Sequence, residues 1–152
     1  GSRLPMSSYL VSESEVLVNP DPAPLGTRSS GFAQIAMFRR PDGQSRRHWL
    51  SRWRDHHTQV AVETQSVFEY RQNLVVDRFQ IAGPVIDAIV EEGFPIEALV
   101  DRNVFYAAVG SDEQLRRNQF RMSASTRTFI DHERGLDVIP TSQYVFRRPP
   151  GR

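Results

Sequence analysis

The 152-residue chain contains no cysteine, which excludes disulfide stapling, thiolate catalysis, thiolate-held zinc and cysteine-ligated clusters. It contains no lysine either: all 19 basic residues are arginine. Schiff-base chemistry, lysine-anchored pyridoxal phosphate and a P-loop phosphate grip are thereby excluded. No apolar run approaches the roughly 20 residues of a membrane span, and the N-terminal stretch lacks the basic, apolar, small-residue order of a secretory signal. A charge excess is missing as well. With 18 acidic residues the net charge is +1, so no overall field favours nucleic acid or an anionic membrane. The expectation is a cytoplasmic protein with neither of those partners.

What is there is globular: 39% hydrophobic and 24% charged residues, in a length that suits one domain. The opening Gly1-Ser2 reads as a cloning scar. Residues 9–18 alternate apolar and polar as a strand does, and residues 19–30 hold three prolines and a glycine, a linker pattern. Phe32 to Arg39 reads as a strand apolar on both faces, closed by the Pro41-Asp42-Gly43 turn. Ser45 is placed to cap a long helix over 46–65, with Trp49, Trp53, His56 or His57, Val60 and Thr64 at helical spacing. Strands follow over 67–79 and 85–94, then helices over 96–109 and 112–129, with Leu115, Phe120, Met122 and Phe129 as the apolar stripe of the last. A closing strand spans 136–146, and residues 148–152 read as a frayed tail. The order β-α-β-β-α-β is the ferredoxin-like split βαβ arrangement of α+β proteins, with both helices on one face of the sheet. Its other face, apolar in the first strand, is covered if two sheets close on each other.

The segment Leu4-Pro5-Met6-Ser7-Ser8-Tyr9-Leu10-Val11 echoes Ile139-Pro140-Thr141-Ser142-Gln143-Tyr144-Val145-Phe146, with Pro, Ser and Tyr at identical offsets. Either the match is accidental, or residues 3–18 are the closing strand of a preceding repeat and residues 31–147 one complete repeat. The second reading makes the natural chain a tandem of two half-barrels.

Several motifs in this order resemble the EthD-domain family. Phe38-Arg39-Arg40-Pro41-Asp42-Gly43 with Ser45 is similar to that family's strand–turn–helix opening. Trp53-Arg54-Asp55-His56-His57 is similar to its helix motif, an aromatic residue four positions before a histidine, which selects His57 over His56. After it, Thr58-Gln59-Val60 stands where the family usually has Ala-Pro-Leu. Tyr70-Arg71-Gln72-Asn73, the segment Asp87 to Phe94 with Glu91-Glu92, and Ser125 to Asp131 resemble its second strand, third strand and last helix end. The resemblance spans 31–147. It implies a dimeric α+β barrel with a cavity between sheet and helices in each half, no organic cofactor, and relatives that include dehydratase- or decarboxylase-type enzymes of aromatic polyketides.

His57 is the first catalytic candidate, as a general acid or base in that cavity; the alternative is a core histidine hydrogen-bonded to a strand carbonyl or to Asp87. Tyr70 and Asn73 are the second and third, to donate to and orient a substrate oxygen, although a regular strand points them to opposite faces. Trp49, Trp53, Phe38 and Phe105 offer an aromatic lining for a planar ligand, or simply pack the core. Arg40 could clamp a carboxylate or phenolate, or end its strand in solvent. Asp87 and Glu91 share a strand face, as a carboxylate pair or as partners of Arg71 and Arg78. No histidine pair has zinc-helix spacing, so no metal is expected. Two functions result. One is a cofactor-independent lyase or isomerase (dehydratase, decarboxylase or cyclase) acting on a small, hydrophobic, oxygenated and possibly aromatic or polyketide-like molecule. The other is a non-catalytic ligand-binding or accessory barrel of a degradation pathway. Either is expected to work as a homodimer or higher even oligomer, or paired with a second repeat.

Overall fold

The computed structural model describes residues 6–79, 83–133 and 135–146. The Gly1-Ser2 pair, the start of the echo at Leu4 and Pro5, and the tail beyond 146 lie outside them. Among the described residues the strands are β1 (Tyr9–Leu17), β2 (Phe32–Phe38), β3 (Glu69–Arg78), β4 (Ala88–Phe94) and β5 (Leu136–Thr141). They form one open, antiparallel five-stranded sheet in the order β1–β3–β4–β2–β5. The helices are α1 (46–64), the single turn α2 (Arg102–Phe105) and α3 (Asp112–Thr126). This is an α+β architecture, and the order of β2 to β5 with α1 and α3 as crossovers is compatible with a ferredoxin-like fold. The two echo copies sit at opposite edges: Tyr9 starts β1, whereas Tyr144 lies past the end of β5 in an isolated bridge to Arg28.

Alternation divides the sheet into two faces. On one, the aligned positions Tyr70, Glu92 and Gln34 form a row across β3, β4 and β2. Gln72, Val90, Ala36 and Val138 form the next row, and Leu74, Ala88, Phe38 and Leu136 the one after. Helices α1 and α3 cover this face, and the main core lies between them, built on Phe38, Trp49, Trp53, Ala61, Tyr70, Val90 and Phe129. The opposite face presents Ile35, Met37, Ile89 and Ile139 together with Arg71, Asn73 and Glu91.

Helix α1 starts where expected. Ser45 is extended (φ −66°, ψ 147°) and its Oγ accepts from the His48 N–H at 3.3 Å. Its middle is not α-helical: Ser51–His57 is a π segment, and the Thr58 N–H reaches back five residues to the Trp53 carbonyl. The consequence is rotational. A four-residue step along an α-helix advances about 400°, so residues at that spacing drift about 40° per step. The wider π turn, with roughly 4.4 residues, under-rotates by about 30° over the same step. The two offset each other, so Trp49, Trp53, His57 and Ala61 stay on one line and all are buried, while His56 is exposed.

The expected helix over 96–109 is replaced by a 3-10 turn (Ile96–Leu99) and α2. Asp101 leaves the helical region, its side chain accepts from the Asn103 N–H (2.8 Å), and a new turn begins there. Ala107 then takes φ 49°, which ends it. Helix α3 stops at Thr126 rather than 129, and Phe120 is 75% exposed, outside the apolar stripe. The buried positions of α3 are Leu115 and Asn118; Asn118 donates to the Tyr106 carbonyl (2.7 Å) and accepts from Gln114 (2.7 Å).

Candidate active-site cavity

Between the sheet and the two helices lies a cavity of about 120 Å³. Its floor is Gln34, Ala36, Phe38, Tyr70, Val90, Glu92, Leu136 and Val138; its roof is Trp53 and His57 from α1 with Met122 and Thr126 from α3. Phe129, Ile130 and His132 complete one side. Most of this wall is apolar, which makes its few polar atoms decisive.

The His57 ring is buried, packed against Phe129 (centroids 4.6 Å apart), and its Nδ1 shares a hydrogen bond with the Ser125 hydroxyl at 2.9 Å. Neither a strand carbonyl nor Asp87 is its partner; Asp87 accepts from the Arg40 N–H (2.8 Å). Burial lowers the His57 pKa from 6.5 to about 4, because the charged form loses its hydration. The imidazole is therefore neutral at physiological pH.

Tyr70 is fixed through the π segment. The Thr58 hydroxyl donates to the Trp53 carbonyl (3.3 Å), and Gln72 Nε2 donates to the Thr58 hydroxyl (2.8 Å) and to the Tyr70 hydroxyl (3.1 Å). The phenol oxygen thus accepts from the sheet and keeps its own proton to donate. Burial first, then the charge of Glu92, raises its pKa, so the phenol stays protonated. The Trp53 indole N–H lies close to this phenol yet makes no hydrogen bond of ordinary geometry.

Glu92 is the group that sequence reasoning passed over. It sits on the central strand β4, 5% exposed, between Gln34 on β2 and Tyr70 on β3. Gln34 Nε2 donates to Glu92 Oε2 at 3.1 Å. Desolvation pushes the carboxyl from 4.5 up to about 7, against the smaller opposing pull of that hydrogen bond. The signal in the sequence was one acid at the alternation positions of Ala88, Val90 and Phe94, an otherwise apolar face.

The structure brings His57, Tyr70, Trp53 and Phe38 to the cavity and separates the other candidates from it. Asn73 lies on the opposite sheet face, where its Nδ2 donates to Glu91 Oε1 (2.8 Å). Arg71, on the same face, pairs with Glu15 (3.0 Å) and with Glu69, and this leaves Glu91 to Asn73. Trp49 is buried behind the wall, with Nε1 donating to the Phe129 carbonyl (2.9 Å) and its ring at the edge of Phe38. Arg40 turns its guanidinium to the Gln44 carbonyl at the strand end. Phe105 stacks on Phe94 (4.7 Å) in a second cluster with Phe32.

Among the described residues no three His, Cys, Asp or Glu side chains converge as a metal site, and no helix is long and apolar enough to cross a membrane. No family model matches the chain, and the comparison with curated proteins found no match.

Proposed function

We propose that the cavity is the active site of a cofactor-independent lyase or isomerase that moves protons on a small, uncharged, oxygen-bearing ring. The observation that carries this reading is the meeting of three proton-active side chains, His57, Tyr70 and Glu92, in one largely apolar wall. Size narrows the substrate: a cavity of about 120 Å³ is close to the ~150 Å³ that accommodates benzene, so one ring enters. Charge narrows it further. None of the arginines among the described residues lines the cavity, so a carboxylate substrate would meet Glu92 without a counter-ion. Dehydration, isomerisation or ring closure of a neutral molecule fits better than decarboxylation. Tyr70 donates to the substrate oxygen, and neutral His57 offers Nε2, which has no hydrogen-bond partner among the described residues, to a substrate hydroxyl.

The test is product analysis by mass spectrometry after incubation with single-ring hydroxyketones and dihydroxy compounds. Conversion that falls by about 10²-fold in His57→Ala and Tyr70→Phe supports the enzyme. A second reading, a ligand-binding barrel, is favoured by the weak basicity of His57, and recovery of every bound compound intact would establish it.

The EthD resemblance supports the same site, and with it the dimeric barrel. Two copies closing over Ile35, Met37, Ile89 and Ile139 would cover the face that the helices leave open. Light scattering at micromolar concentration should give about twice the mass of one chain; a monomer refutes the closure.

A further inference from the structure

Building on the proposed site, we infer that Glu92, rather than His57, is the catalytic residue that takes and returns the substrate proton, with Gln34 as its positioning residue. The argument is geometric. Glu92 lies in the middle of the cavity floor, on the central strand, with cross-strand neighbours on both sides. One carboxylate oxygen, Oε2, is held by Gln34 Nε2. The other, Oε1, makes no hydrogen bond among the described residues, and Glu92 lines the cavity. A ring bound on this floor meets the Glu92 carboxylate.

The charged and titratable groups facing it are Tyr70 from β3, His57 from α1 and His132 at the cavity side; Gln34 from β2 is neutral. No arginine is among the described residues lining the cavity, and burial keeps His57 neutral. A desolvated carboxylate without a counter-ion is a stronger base than one in water. By contrast, burial makes His57 a weak base, and Ser125 occupies its Nδ1.

The probe is 5-nitrobenzisoxazole, a small neutral aromatic that opens on loss of one proton. Glu92 Oε1 takes the C3 proton, the C–H electron pair completes a nitrile, the N–O bond breaks, and the electrons leave on a phenolate oxygen. Glu92 then gives its proton to water. The coloured phenolate reports the rate. The full chain is expected to accelerate the opening over buffer, with a rate that rises through a pH near 7. Glu92→Gln, which keeps the shape and the neighbour of the side chain, should lose about 10²-fold or more. His56→Gln, exposed on α1 and outside the cavity lining, should retain the rate within about tenfold. Gln34→Leu, which removes the hydrogen bond that favours the carboxylate, should move the pH midpoint upward, a change that a merely structural role would not produce. A rate kept in Glu92→Gln, from an active wild type, overturns the assignment to Glu92 and leaves the site standing. A wild-type pH profile with its midpoint near 4 does the same. No acceleration by the wild type overturns both.

Discussion

A buried carboxylate has a stability signature that needs no substrate. Glu92 has an ordinary pKa of 4.5 and is raised to about 7 by burial in the folded chain. The sign follows from proton counting. Between these pH values the folded chain holds the proton and the unfolded chain does not, so the stability from this group is complete below 4.5 and lost as pH rises through 7. At 1.36 kcal/mol for each pH unit, the total is about 3 kcal/mol. Glu92→Gln removes this cost. Its stability relative to wild type should be flat below pH 4.5, grow between pH 4.5 and 7, and level off about 3 kcal/mol higher above pH 7. Urea unfolding at fixed protein concentration measures it. With slopes of roughly 1–3 kcal/mol per molar for small proteins, the midpoint should separate by about 1–3 M at pH 8 and converge at pH 4. Only the difference between variant and wild type is used, so the other titrating groups cancel. Unfolding curves offset by the same amount at every pH would refute the claim that Glu92 is desolvated.

His57 should show the mirror image. Its pKa falls from 6.5 to about 4, so wild-type stability is lost as pH drops between these values, and His57→Gln should gain about 3 kcal/mol at pH 4 relative to pH 7 in the same urea assay. Gly31→Ala should destabilise by about 2 kcal/mol or more in thermal unfolding, because φ is +73° and an added Cβ would run into the Phe94 carbonyl oxygen. Asn73→Asp replaces the donor to Glu91 with a second acid in a buried position; urea unfolding should show a loss of about 1–3 kcal/mol at pH 7 that shrinks in acid. Ser45→Ala removes the cap of α1 and should cost about 1 kcal/mol by the same method.

Local pattern and long-range pairing contributed different parts of this protein. Alternation was enough to place β2, β3 and β4 within a few residues, to separate Tyr70 from Asn73 across the sheet, and to identify the helix that carries Trp53 and His57. The exclusions of thiolate and lysine chemistry also came from composition alone. The choice between His56 and His57 did not come from α-helical spacing, which accommodates either; the π segment makes it, because its extra width keeps residues 49, 53, 57 and 61 in line. The expected helix over 96–109 failed because Asp101 caps a new turn at the point where apolar spacing continued undisturbed. Phe120 matched an amphipathic stripe and is nevertheless exposed, since which side of α3 is buried depends on where α1 lies.

Glu92 shows the division most sharply. Alternation sets Glu92 on the apolar face of Ala88, Val90 and Phe94 and Glu91 on the other, but does not say which face is removed from water. Pairing across three strands sets Gln34 and Tyr70 beside Glu92, and two helices remove it from water, while its neighbour Glu91 faces the other side of the sheet. Alternation acts between residues next to each other in the chain, so it can be read from sequence. Desolvation is a property of what surrounds a group from all directions, and only the packed tertiary structure supplies that.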